Sequence, residues 1–187
     1  MTDFPRPPLL EETSLSPAQR QVFDAIRSGP RGIVEGPLRV WLQSAELADK
    51  AQALGAFCRY GTSLPPRLSE LAILVTGAFW KAGFEWAVHA PIAIRSGVSE
   101  EAVDAIRRGM KPGFVLEDEA LVYGFSRELQ ENHAVSDATY QRACAALSPA
   151  GVVELVGLLG YYTLISMTIN AFNVPLPEGI PAPFAED

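Results

Sequence analysis

The sequence predicts an all-α protein, and three observations carry that prediction. Apolar residues recur at helical spacing through most of the chain, no segment sustains the alternation of strand-forming residues, and Ser or Pro opens most apolar stretches while Gly or Pro closes them. Ser16-Pro17 starts a helix that Gly29-Pro30 stops. Residues 29–37, with three Gly and two Pro, form a loop, and a short helical stretch follows from Leu38 to Leu42. Ser44 caps a helix over about 45–60, in which Leu47, Ala51, Leu54 and Cys58 share a face. Leu64-Pro65-Pro66 breaks the chain before a strongly apolar helix over about 67–81, and Gly83 interrupts it before a second over about 84–96. Ser99-Glu-Glu caps a helix ending at Gly109, and further helices are expected at about 117–132, 137–147 and 149–172. This organisation divides the chain into an N-terminal arm and first helix (1–35), a helical domain (36–173) and a Pro-rich tail (174–187).

Composition narrows the function. Of 187 residues, 48% are apolar and 20% charged, the balance of a globular domain with a sizeable core. The net charge is −7 and Lys and Arg form no stripe, which argues against a nucleic-acid partner or an anionic membrane surface. Residues 152–172 are apolar enough to raise a membrane span. They contain Glu154 and Asn170 and lack flanking cations, so the expectation is a core helix. The N-terminus lacks the basic-then-apolar order of a secretion signal, and Cys58 and Cys144 form no C-x-x-C, so two reduced thiols in a cytoplasmic protein are expected.

Chemistry concentrates in Glu70–His89. This is the most apolar stretch of the chain, yet it holds Glu70, Glu85 and one of only two histidines. Glu85 and His89 are four apart, which on a helix places them on one face with Cβ atoms about 5–6 Å apart. Each alone has an ordinary structural reading, Glu70 as a helix N-terminal acid and His89 as a bonded core imidazole. Together they are harder to dismiss, since burying ionisable groups costs several kcal/mol unless they are paired. One His and two Glu make a sparse metal shell, so no metal is expected. There is no nucleophile elbow and no phosphate loop. Leu64-Pro-Pro through Glu70-Leu can also be laid against Ser148-Pro through Glu154-Leu, a hint of internal duplication in which only the first copy carries the acid–imidazole pair.

These residues resemble the carboxymuconolactone decarboxylase-like family, in the alkylhydroperoxidase D-like helical fold. The resemblance rests on Arg67-Leu-Ser-Glu70-Leu-Ala-Ile-Leu, Glu85-Trp86-Ala-Val-His89 and Ala93-Ile-Arg-Ser-Gly97-Val-Ser-Glu-Glu. Peroxidase-type members carry C-x-x-C with three residues between it and the His, and a Glu upstream in the proton relay. Here His89 and Glu70 fit, but the two cysteine positions are Ala82 and Glu85, so disulfide-based peroxide reduction is not expected. The decarboxylase-type branch is closer. It implies cofactor-free loss of CO2 from a carboxylated lactone, with proton delivery to the resulting carbon, as part of aromatic-compound breakdown. On that basis Glu70, Glu85 and His89 are the candidate catalytic residues, and Arg39, Arg67 and Trp86 the candidate substrate contacts. The family also implies a homo-oligomer, trimer or hexamer, with the arm or tail crossing to a neighbour. The alternative is a non-catalytic oligomeric ligand-binding or scaffold protein on the same fold.

Overall fold

The computed structural model describes residues 6–184; the ends of the expected arm (1–5) and tail (185–187) lie outside the described residues. The eight α-helices among them are α1 (Pro17–Ser28), α2 (Pro37–Trp41), α3 (Ala45–Tyr60), α4 (Pro66–Phe79), α5 (Gly83–Arg95), α6 (Glu100–Arg107), α7 (Glu117–Asn132) and α8 (Asp137–Phe172). No strand occurs among the described residues, as the absence of period-two alternation requires. Most local signals act as expected, but Ser44, though at the N-cap position of α3, makes no side-chain capping bond. Ser16 and Gln19 close a reciprocal capping box on α1, and Ser99 and Ser136 cap α6 and α8.

Two boundaries differ from the sequence expectation. The break between α4 and α5 falls at 80–82, and Gly83 is the first residue of α5. Lys81 takes a left-handed backbone (φ 50°), and the Ala82 amide donates to the Gly77 carbonyl at 2.8 Å, which satisfies an orphan acceptor at the end of α4. The two helices expected at 137–147 and 149–172 run on as one bent helix. Ser148 (φ 66°, ψ 163°) forms the bend before Pro149, and its hydroxyl accepts from the Gly151 amide, capping the second limb.

Helix α4 is the axis of the molecule. All ten residues from Leu68 to Gly77 are buried, so the helix is enclosed on every side. Leu68, Ala72 and Ile73 join a large core with α1, α2, α3, α7 and α8, while Leu71, Leu74 and Val75 join a smaller one with α5 and α6. The first helix belongs to this body, because Val22, Phe23 and Ile26 sit in the large core. Arm and tail are docked on their own chain. The Arg6 amide donates to the Phe172 carbonyl at 3.0 Å, and Phe184 packs edge-on against Trp86.

α8 is long and apolar enough to cross a membrane by length and composition. Its Leu155, Leu158, Leu159, Ile165 and Ile169 are core residues of the protein, as expected for 152–172. The duplication hint has no counterpart at the chemical centre. Glu154 of α8 accepts from the Ser63 amide and hydroxyl, and it meets no imidazole.

Candidate active site

The α4–α5 hairpin brings the sequence-predicted acids and imidazole together. Glu70 lies on α4, and Glu85 and His89 on successive turns of α5; all three are at most 5% exposed. Gly77, two turns beyond Glu70, makes this approach possible. A Cβ there would stand 3.1 Å from Glu85 Cγ, so a larger residue would press the acid out of place.

His89 is held between the two carboxyl groups. Its Nδ1 lies 2.7 Å from Glu70 Oε2, a hydrogen bond across the two helices. Glu85 Oε1 lies 3.8 Å from Nε2, too far for a hydrogen bond, and has no other partner. With Nδ1–H donating to the Glu70 carboxylate, Nε2 is left as the lone-pair acceptor facing Glu85. The carboxyl groups sit at opposite ring nitrogens, so the three side chains do not surround one point as a metal shell would.

Electrostatics separates the two acids. Burial pushes the Glu85 carboxyl well above its ordinary value of 4.5, the Glu70 charge adds to this, and Arg59 and Arg31 oppose it. Its place in the first turn of α5 favours the anion by only about 0.3–1 kcal/mol, well short of the cost of burying a charge. Glu85 therefore retains its proton into a range where an ordinary carboxyl has lost it. Burial lowers His89 from 6.5, against the Glu70 hydrogen bond and charge, which raise it. Both shifts favour the uncharged forms, a neutral imidazole beside a protonated carboxyl. Tyr162 stands edge-on to the imidazole, with ring centroids 5.2 Å apart, and burial pushes its hydroxyl well above 10.

A pocket reaches this pair. It encloses about 560 Å³ of empty space, counting the part open to bulk water, and is lined by Glu85, His89, Tyr161, Tyr162, Phe84, Val88, Leu38 and Ile165. Its remaining wall comes from the 29–37 loop and the end of α3, through Arg31, Ile33, Glu35, Pro37 and Arg59. The substrate contacts expected from sequence lie elsewhere. Arg67 is bonded to both oxygens of Asp118 (3.2 and 2.7 Å) and touches Glu119 Oε1 at 2.8 Å. Arg39 donates to the Leu10 carbonyl, and Trp86 is packed in the smaller core. The arginines that line this pocket are Arg31 and Arg59. The available signals were a cation inside a Gly/Pro-rich loop and a glycine, Gly55, in the interior of α3, one turn before Arg59.

The raised acid has a consequence for stability. Above pH 4.5 the unfolded chain releases the Glu85 proton while the native protein keeps it, so native stability falls as pH rises toward the folded-state value. Glu85→Gln removes that loss. The melting temperature of the variant relative to wild type should climb as pH rises above 4.5, until Glu85 ionises in the native protein as well. A difference that stays flat, or falls, would show that Glu85 ionises as freely in the native protein as in the unfolded chain.

Comparison with known proteins agrees with this architecture. No curated protein sequence matches the chain. Residues 45–113, which span α3 to α6 and hold Glu70, Glu85 and His89, match the model of the carboxymuconolactone decarboxylase family. The debrominase Bmp8 in its apo form superposes with a TM-score of 0.72 at 15% identity, over 94% of this chain and 92% of that one. An uncharacterized peroxidase-related protein from Silicibacter sp. TM1040 superposes with a TM-score of 0.73 at 13% identity, over 95% and 96%. At such identities the likeness establishes the fold. Residues 45–113 are thus similar to the carboxymuconolactone decarboxylase family, and the chain as a whole shares the helical fold of these two structures.

Proposed function

We propose that the protein carries out cofactor-free acid–base chemistry on a carboxylated, lactone-like small molecule, by decarboxylation or a related lyase or isomerase step. The observation that carries this reading is the unpartnered Glu85 Oε1, facing His89 Nε2 across 3.8 Å at the wall of a pocket. A carboxyl held protonated beside an imidazole held neutral is a donor–acceptor pair poised for proton transfer near neutral pH. In a decarboxylation, the bond between ring carbon and carboxylate breaks and CO2 leaves. The electron pair passes into an enolate conjugated with the lactone carbonyl. Glu85 delivers its proton to that carbon, directly or by way of His89 Nε2, and the pair regains one from water. Glu70 fixes the ring and its tautomer through Nδ1 and stabilises any positive charge that forms on it.

The pocket reaches both members of the pair, which supports an enzyme over the scaffold alternative. Thiol-based peroxide reduction is disfavoured. Ala82 and Glu85 stand at the cysteine positions, and burial pushes the Cys58 thiol up, away from the reactive thiolate. His89→Gln keeps the size of the ring but cannot carry the proton, so the chemical rate should fall by about 10²–10⁴-fold. Glu70→Gln should cost less. Full activity in His89→Gln on a lactone carboxylate turned over by wild type would overturn the mechanism.

Self-association is the second part of the proposal. Along α8, Val153, Val156, Gly160, Leu164 and Met167 are exposed at spacings of three and four, the pattern of a helix–helix seam. The stripe carries no charge, and a Cβ at Gly157 or Gly160 would meet nothing, so a second copy of the same helix can approach closely. Light scattering at micromolar concentration should report an oligomer that Val156→Asp dissociates. A monomeric wild type would count against this.

A further inference from the structure

We infer that Arg31 and Arg59 form an anion-binding end of the pocket that takes the carboxylate of an organic ligand. This deepens the proposed function and rests on reading the pocket as the substrate site. Neither arginine makes an ion pair among the described residues, whereas Arg67, Arg107, Arg108 and Arg127 are each matched to a carboxylate. Arg31 makes one hydrogen bond, to the Tyr161 hydroxyl at 3.4 Å, and its buried Nε has no partner. Arg59 lies over the Tyr60 ring at 5.3 Å, which orients the guanidinium without neutralising it. Glu35 also lines the pocket, but it is exposed and pairs with neither. Two guanidinium groups therefore line one small pocket with most of their donors unspent.

The placement is built. Gly55 is buried on α3, and a Cβ there would overlap both the Tyr161 hydroxyl and Arg31 Nη2. The missing side chain is what lets the loop after α1 lay its arginine against α3 and α8. Arg31 lies outside the segment that matches the family, so the N-terminal region supplies a wall of the site as well as a piece of core.

The walls select the kind of anion. Ile33, Leu38, Phe84, Val88 and Ile165 are apolar and line the same pocket as the two arginines. An inorganic phosphate would satisfy the arginines but leave these walls against a hydrated ion. A ring bearing a carboxylate satisfies both, with the carboxylate on the forks and the ring against the apolar walls, beside Glu85 and His89.

Protein-observed NMR titration tests this without an assay of activity. The probes are 2-furoate, its neutral isostere 2-furamide, and inorganic phosphate. Wild type should bind furoate, with shifts at the pocket residues, and should bind furamide and phosphate more weakly. Arg31→Gln and Arg59→Gln should each weaken furoate by about 10- to 100-fold. Arg95→Gln, an exposed change on α5, should leave it unchanged. Arg59→Lys and Arg31→Lys keep the charge and lose the fork, so they guard against a Gln variant that fails to fold and should lie in between. Equal binding of furamide, phosphate binding as tight as furoate, or folded arginine variants that bind furoate like wild type would each overturn the inference. Those results would leave the Glu85–His89 reading standing. An inert His89 would remove that reading and leave the anion site in place.

Discussion

The hydrogen bond from His89 Nδ1 to Glu70 is the constraint around which the site is arranged. It is 2.7 Å long, buried, and joins α4 to α5. A charge-assisted bond of this kind contributes about 1.5–3 kcal/mol net, and losing either partner would leave the other buried and unsatisfied. It fixes more than the packing of two helices. By engaging Nδ1 it sets the tautomer, aims Nε2 at Glu85, and holds the ring against Tyr162. The geometry of the pocket wall follows from that one contact.

The same contact divides two chemically identical side chains. Glu70 has an imidazole to accept from, and its charge is matched to a donor. Glu85 has burial, a nearby anion and no hydrogen-bonding partner for Oε1, so it holds its proton. Separating two carboxyl groups by environment is how a single fold presents an acid and a base at one pH. Gly77 and Gly55 contribute by what they lack. One makes room for Glu85 beside α4, and the other makes room for Arg31 and Tyr161 against α3.

Much of the fold is legible in the sequence because its signals are local. Ser16-Pro17, Ser99, Ser136 and Ser148-Pro149 act within one turn of where they stand, and the mostly apolar run after Pro66 becomes a helix buried from Leu68 to Gly77. The α4–α5 break is less so, because Lys81 adopts a left-handed backbone that its residue type does not advertise. The Glu70, Glu85 and His89 cluster is legible because an i, i+4 pair and an acid in an apolar run are visible at short range. That Glu70, 19 residues from His89, makes the closer contact depends on how α4 and α5 pack. The arginines are illegible for the same reason. Arg39 and Arg67 are engaged by distant segments, through Leu10 and Asp118, while Arg31 and Arg59 come to one pocket only when the N-terminal loop folds onto α3 and α8.

The central claim is that His89 sits in the native protein as a neutral imidazole with its proton on Nδ1 and its lone pair toward Glu85. The chain has two histidines, so ¹⁵N NMR of imidazole-labelled protein reads this state directly, with His133→Gln assigning the signals. The account predicts, near neutral pH, a neutral ring protonated at Nδ1 that gains its second proton only below the ordinary value of 6.5. A ring protonated at Nε2, or an imidazolium that persists above that value, would contradict it.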